Sequence, residues 1–113
     1  MRRPVGKRAL TPEVLVLIAE GFKALAEPAR LQILICLRSG EMTVTELVDE
    51  TSFGQANVSK HLQLLHALGF VTRRKDGLFV HYAVADKSVF ELCEVMCDRL
   101  EAEAKARRRL LAG

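Results

Sequence analysis

The sequence predicts a mainly α-helical domain that carries a single β-hairpin. Three observations lead there: successive segments of helical periodicity between Pro12 and Leu68, a β-branched and aromatic stretch around Asp76-Gly77, and a long amphipathic segment after it. Each element has its own local signals.

Residues 1–10 are basic, with Arg2, Arg3, Lys7 and Arg8 among Pro4 and Gly6, and are expected to form a flexible arm ahead of one folded domain at 11–113. Thr11-Pro12-Glu13 then starts a helix, with Thr11 as N-cap and Pro12 at the first helical position, where its missing N–H is harmless. This helix is expected to reach about residue 26. Val14, Leu15, Leu17, Ile18, Phe22 and Leu25 spread over more than one face, which predicts burial against both the domain's core and a second subunit. Pro28 starts the next helix, expected over 28–38, and its apolar residues Leu31, Ile33, Leu34, Ile35, Cys36 and Leu37 point almost all round the axis, as in an enclosed element.

Thr43 and Glu46 have capping-box spacing at the head of a short helix ending near residue 50. Thr51-Ser52-Phe53-Gly54 makes a tight turn, and residues 55–68 form a periodic helix stopped by Gly69. Two helices joined by a short Gly-containing turn constitute a helix-turn-helix candidate. Residues 70–75 and 78–83 flank Asp76-Gly77, a pair suited to a type I′ hairpin turn. The final helix is expected over 86–111, with Val89, Cys93, Met96 and Leu100 as an apolar stripe opposite Glu91, Glu94, Asp98 and Glu101. Such a helix needs something to lie against, and a second copy of the chain is the economical choice.

Composition narrows the function classes. A chain of 113 residues, half of them hydrophobic and 27% charged, suits one folded domain and is too apolar for a disordered one. Its net charge of +3 is compatible with a polyanionic partner. No apolar run is long enough for a membrane span and no signal-peptide core follows Met1, so a cytoplasmic protein with no membrane partner is expected. Cys36, Cys93 and Cys97 are odd in number and lie in apolar stretches, which argues for reduced thiols rather than a disulfide framework.

The helix at 55–68 carries the most informative chemistry. On a helical wheel Val58, Leu62 and Leu65 centre the buried face, with His61, Leu64 and Leu68 on one shoulder. The opposite face carries Ala56, Ser59, Lys60 and Gln63, with Gln55 and Asn57 at its N-terminal end. That face is polar and nearly free of acids: amides and hydroxyls can read base edges in a major groove, and Lys60 can reach phosphate or guanine. A polar outer face is also what any solvated helix shows. The hairpin weighs against that plainer reading, because Arg73, Arg74 and Lys75 cluster just before its tip, where cations can neutralise phosphates and release counterions.

The string Ala24-Leu25-Ala26-Glu27-Pro28-Ala29-Arg30-Leu31-Gln32-Ile33-Leu34, then Thr45-Glu46-Leu47, Gln55-Ala56-Asn57-Val58-Ser59-Lys60-His61-Leu62, Gly69-Phe70-Val71 and the hairpin from Arg73 to Tyr82 together resemble the ArsR-type metal- and redox-responsive repressors. The likeness runs from about Phe22 to Val89. It implies a winged helix-turn-helix of order α-α-α-α-β-β-α, dimeric through its first and last helices. Such a protein binds an operator in double-stranded DNA, requires no cofactor to do so, and leaves when an inducer arrives. By the same resemblance Gln55, Asn57, Ser59 and Lys60 take DNA-reading positions and His61 lies near the DNA backbone. Two recognition helices related by a two-fold axis would read half-sites about 34 Å apart, so the operator should be an imperfect palindrome.

The family's inducer sites match poorly. The helix at 43–50 has no cysteine, so the Cys-x-Cys arsenic site of the founding members is absent. Of the zinc-type site on the last helix only Asp86 matches, with Ser88 and Arg99 where histidines are expected. The thiols remain. Cys93 and Cys97 are four residues apart on one helix and could hold a soft ion such as arsenite, with Cys36 or the second subunit as a third donor, or undergo oxidation or persulfide chemistry. They are equally suited to be small apolar residues packed in the dimer stripe, and Cys36 to be core. Sulfur-sensing relatives pair a thiol on the second helix with one on the last, and Cys36 stands one residue off that pattern. His66 and His81 are too scattered for a metal site. No Gly-rich phosphate loop, His-Glu-x-x-His or nucleophile with an evident base occurs, so no enzyme is expected. A winged-helix interaction module that reads no DNA is the competing class.

Overall fold

The computed structural model describes residues 8–113, so most of the expected basic arm lies outside the described residues. The elements in order are α1 (Pro12–Leu25), α2 (Pro28–Leu37), β1 (Met42–Thr43), α3 (Val44–Thr51), α4 (Gln55–Ala67), β2 (Val71–Asp76), β3 (Phe79–Val84) and α5 (Val89–Ala112). This is a winged helix-turn-helix, and its boundaries follow from identifiable caps.

Thr11 Oγ1 accepts the Val14 N–H at 3.3 Å and Pro12 occupies the first turn of α1. At α3 the capping box is complete: Thr43 Oγ1 accepts the Glu46 N–H at 3.2 Å, and Glu46 Oε1 accepts the Thr43 N–H at 3.0 Å. Ser52 ends α3 in the left-handed region at φ 64°, where the chain reverses toward α4. Thr51, the buried polar residue of this turn, donates its hydroxyl to the Leu47 carbonyl at 2.6 Å and accepts the Phe53 N–H at 3.2 Å. The turn can therefore sit on the core without an unpaired polar group. At the other end of α4, Gly69 adopts φ 81°. The Phe70 N–H reaches the Leu65 carbonyl at 2.8 Å and the Gly69 N–H reaches that of His66 at 3.1 Å, closing a Schellman motif.

Arg30 does something no local pattern announces. From the first turn of α2 its guanidinium donates to the carbonyls of Lys23 and Ala24, the last acceptors of α1. The Lys23 carbonyl also accepts the Ala26 N–H at 3.2 Å, so Arg30 adds a second donor there and takes up the Ala24 carbonyl, capping one helix from the next and tying the two together.

Three expectations are corrected. Asp76 pairs with Phe79, so the two-residue loop is Gly77-Leu78 rather than Asp76-Gly77. Among the described residues only Gly77 of that pair has positive φ, 62°, the pattern of a type II′ rather than a type I′ turn. The last helix begins at Val89 instead of 86, because Asp86 Oδ1 accepts the Ser88 N–H at 2.8 Å and holds residues 86–88 in a turn. Finally, β1 is a third strand of two residues, giving an antiparallel sheet of order β1-β3-β2.

The core joins Ile33, Leu34 and Leu37 of α2, Leu47 of α3, Val58, Leu62 and Leu65 of α4, Val71 and Tyr82 of the sheet, and Val89. Within one chain α2 is less enclosed than its composition suggests, since Ile35 remains 40% exposed. Both α1 and α5 lie largely outside this core: Leu17 and Val95 are each 67% exposed, and beyond its first turn α5 contributes no buried residue. The radius of gyration is accordingly 17.3 Å, against roughly 13 Å for a compact chain of this length.

Leu62 is fully buried in the centre of this core. Leu62→Ala should cost about 2–5 kcal/mol, read as a lower urea midpoint at fixed protein concentration. The Glu46 carboxyl is held below its ordinary range, chiefly by the Thr43 backbone N–H and then by the Thr43 hydroxyl. A depressed carboxyl stabilises the fold above its unfolded pKa and stops doing so as pH falls through the folded one. The melting-temperature gap between the native chain and Glu46→Gln should thus be present near neutrality and close below about pH 4.

Candidate nucleic-acid interface

Burial fixes how α4 is rolled. Val58, Leu62 and Leu65 are fully buried, which turns Gln55, Ala56, Asn57, Lys60 and Gln63 to solvent, with Ser59 and His61 half-buried on the flanks. No acidic residue occurs between Gln55 and Ala67. Gly54 caps α4 without a side-chain hydrogen bond, so the first-turn N–H groups of the helix stay open toward the same end as Gln55 and Asn57. Amides, a hydroxyl, an ammonium group and free N–H groups thus project from one exposed end of one helix. Such a set of donors and acceptors suits base edges and phosphates.

The wing divides its three cations between two faces. Along β2, Val71 is buried and faces the core, and strand alternation puts Arg73 and Lys75 on that same side, toward α4. Arg74 points the other way. Its Nε donates to Glu41 Oε2 at 3.3 Å, its Nη2 donates to Glu41 Oε1, and Asp76 lies 3.7 Å from Nη1. This bidentate pair holds the Glu41 carboxyl below the usual carboxylate range, and it raises the already high pKa of Arg74. His81 sits across the strand from Arg74, on the same outer face. Among the described residues Arg73 and Lys75 carry no such partner.

Four side chains meet between the C-terminal half of α4 and the inner face of the wing. Gln63, His66, Arg73 and Tyr82 line a cleft of about 240 Å³. His66 and Tyr82 were not singled out by residue type; the spacing of Ser59, Gln63 and His66, successive turns of one helix edge, was the available signal.

All three cysteines are free thiols. Cys36 packs half-buried against the core, and desolvation first, then the nearby Glu50 charge, push its pKa up. Cys93 is half-buried and Cys97 exposed on α5. Among the described residues of one chain, no three His, Cys, Asp or Glu side chains converge as metal ligands. Asp86 is occupied by the Ser88 N–H, which lowers its pKa. No helix among the described residues is long and apolar enough to cross a membrane.

A family model described as "Bacterial regulatory protein, arsR family" matches residues 27–73, from the start of α2 into β2. The chain is 40% identical over 74 residues to the "Probable mercury resistance operon repressor" of Streptomyces lividans, an alignment covering 66% of this chain and 59% of that relative. It therefore spans less than two thirds of that protein's length. It is 33% identical over 99 residues to the "Transcriptional repressor SmtB homolog" of Synechocystis sp., covering 83% of this chain and 75% of the relative. Among solved structures, the homodimeric winged helix-turn-helix DNA-binding domain Mb0332 of Mycobacterium bovis superposes with a TM-score of 0.72 at 32% identity, over 88% of this chain and 95% of that one. Motif order, fold and these relatives agree: the chain belongs to the ArsR family of bacterial regulatory proteins.

Proposed function

We propose that this chain is a dimeric transcriptional repressor that reads an imperfectly palindromic operator with α4 and releases it when a thiophilic inducer binds. The observation that carries the reading is the roll of α4, which buries Val58, Leu62 and Leu65 and leaves an acid-free polar face outward. In it Gln55, Asn57 and Ser59 meet base edges, Ala56 allows close approach, and Lys60, His61 and Gln63 meet the DNA backbone. On the wing Arg73 and Lys75 neutralise phosphates. Arg74 stiffens the wing through Glu41 and adds less free charge.

The apolar surface of α1 and α5 and the homodimeric state of the Mycobacterium bovis domain support the dimer. A cavity of about 610 Å³ between the end of α4 and α5, lined by Leu68, Phe70, Leu92 and Val95 among others, continues that surface. A second copy laid against it would set two α4 helices one helical turn of DNA apart.

The inducer reading rests on Cys93 and Cys97, one turn apart on α5, and on a relative named for mercury resistance. Soft thiolate ligands select soft ions, so arsenite, cadmium and mercuric ion are the candidates. Cys36 is a weaker participant, because burial disfavours its thiolate.

Lys60→Ala should weaken binding to every duplex and reduce the salt slope by about one per subunit engaged, whereas Gln55→Ala should cost about 1–3 kcal/mol on the preferred sequence and little elsewhere. Fluorescence anisotropy across a salt series checks both. For the thiols, wild-type protein on its selected duplex should dissociate with arsenite, cadmium or mercuric ion, and Cys93→Ser with Cys97→Ser should not. A response unchanged in both variants removes these cysteines from the mechanism, and a response to persulfide alone assigns them to sulfur chemistry.

A further inference from the structure

We propose that the cleft between α4 and the wing is a seat for one backbone phosphate of duplex DNA, with Tyr82 and His66 as its unassigned members beside Gln63 and Arg73. The inference rests on the DNA-binding reading above and specifies where one strand is held.

Four features of the cleft point to an anion. Every lining side chain is a hydrogen-bond donor: the Gln63 amide, the His66 imidazole, the Arg73 guanidinium and the Tyr82 hydroxyl. None of them is a carboxylate. Among the described residues Arg73 forms no ion pair, in contrast to its neighbour Arg74, so its charge is available to the cleft. Tyr82 is only 8% exposed, yet its hydroxyl has no hydrogen-bond partner among the described residues and is not sealed from solvent. With its ring buried and its hydroxyl open into a cationic cleft, Tyr82 presents that hydroxyl at a fixed place to an external acceptor.

The position suits a nucleic acid strand better than a free ion. Gln63 continues the edge that begins with half-buried Ser59 and exposed Lys60, and Arg73 pairs across the ladder with Tyr82. A strand leaving the base-reading end of α4 toward the wing therefore passes over the cleft. A phosphodiester there would accept from four donors on three elements, α4, β2 and β3. That arrangement fixes the register of the helix in its groove and carries no base information.

The test uses the full chain and a random-sequence duplex of roughly 30 base pairs, long enough for two half-sites one turn apart. Anisotropy titrations across a salt series compare wild type with Tyr82→Phe, His66→Ala, Arg73→Gln and the pair Tyr82→Phe/Arg73→Gln. Tyr82→Phe keeps the ring in the core and removes only the hydroxyl. It should lower affinity about 5- to 20-fold, and His66→Ala should lower it several-fold. Arg73→Gln should reduce the salt slope by about one per subunit. In the Arg73→Gln background Tyr82→Phe should cost less than in wild type, since both act on one phosphate. If Lys60→Ala weakens binding while Tyr82→Phe and His66→Ala bind as wild type does, the seat is refuted and the DNA reading stands. Wild-type protein that ignores the duplex at low salt refutes both. A second arm titrates inorganic phosphate alone: perturbed His66 resonances with variants that leave duplex affinity intact would assign the cleft to a free anion and overturn the proposal.

Discussion

The burial of Val58, Leu62 and Leu65 is the constraint on which the rest of this molecule depends. Three side chains at helical spacing are wedged between α2, α3 and the sheet, and each contributes about 1.5–3 kcal/mol by leaving water. Rolling α4 by one residue, about 100° either way, would expose all three and drive Ser59 or Asn57 toward the core. The polar face is therefore aimed by the apolar one. A recognition surface needs that rigidity, because a base contact works only within a narrow range of distance and angle. The Schellman closure at Gly69 and the Thr51 hydrogen bonds extend the same control to both ends of the helix, so its tilt is fixed along with its roll.

The sheet supplies the second constraint. Because side chains alternate across a strand, a basic triplet cannot present all its charges to one partner. Arg73 and Lys75 look toward α4, and Arg74 is turned to Glu41, just ahead of β1. An exposed pair of this kind adds little to global stability. Its effect is local: it ties the outer part of the hairpin to the segment preceding α3, so the wing is held at both edges of β3. A braced wing presents Arg73 and Lys75 at a set distance from α4, where a hairpin attached only through β2 and β3 would swing.

What the residues announced in advance was local, and what they concealed was relational. The N-cap at Thr11, the capping box at Thr43 and Glu46, the stop at Gly69 and the buried stripe of α4 are decided within a turn or two of chain, and they are legible for that reason. The hairpin was legible in kind but not in register, since Asp76-Gly77 and Gly77-Leu78 differ by one residue and the pairing of Asp76 with Phe79 decides between them. Strand β1 has only two residues and no pattern of its own; it exists because β3 offers it partners. The Glu41 and Arg74 pair and the cleft at Tyr82 join residues distant in sequence, so no short window of the chain contains them; the Arg30 cap spans only six or seven residues but depends on the angle at which α2 leaves α1. The faces of α1 and α5 were legible as apolar, and their partner belongs to a second chain in the reading proposed above.

The position of the thiols bears on how an inducer could act at a distance. Helix α5 is anchored to the domain only at its start, where Val89 is buried and Phe90 packs against the core with the Arg38 guanidinium 5.8 Å from its ring. Cys93 lies one turn beyond Val89 and Cys97 one turn further, so a ligand bridging them would grip the helix just outside its anchor. In the proposed dimer, rotation about that anchor would leave the core of each subunit intact and change only how two copies of α5 meet. The paired α4 helices would then move relative to each other as rigid bodies, and half-sites one turn apart would lose simultaneous contact. Linkage makes the coupling reciprocal: a ligand that loosens the operator by some factor must itself be held more weakly, by that same factor, when the operator is bound.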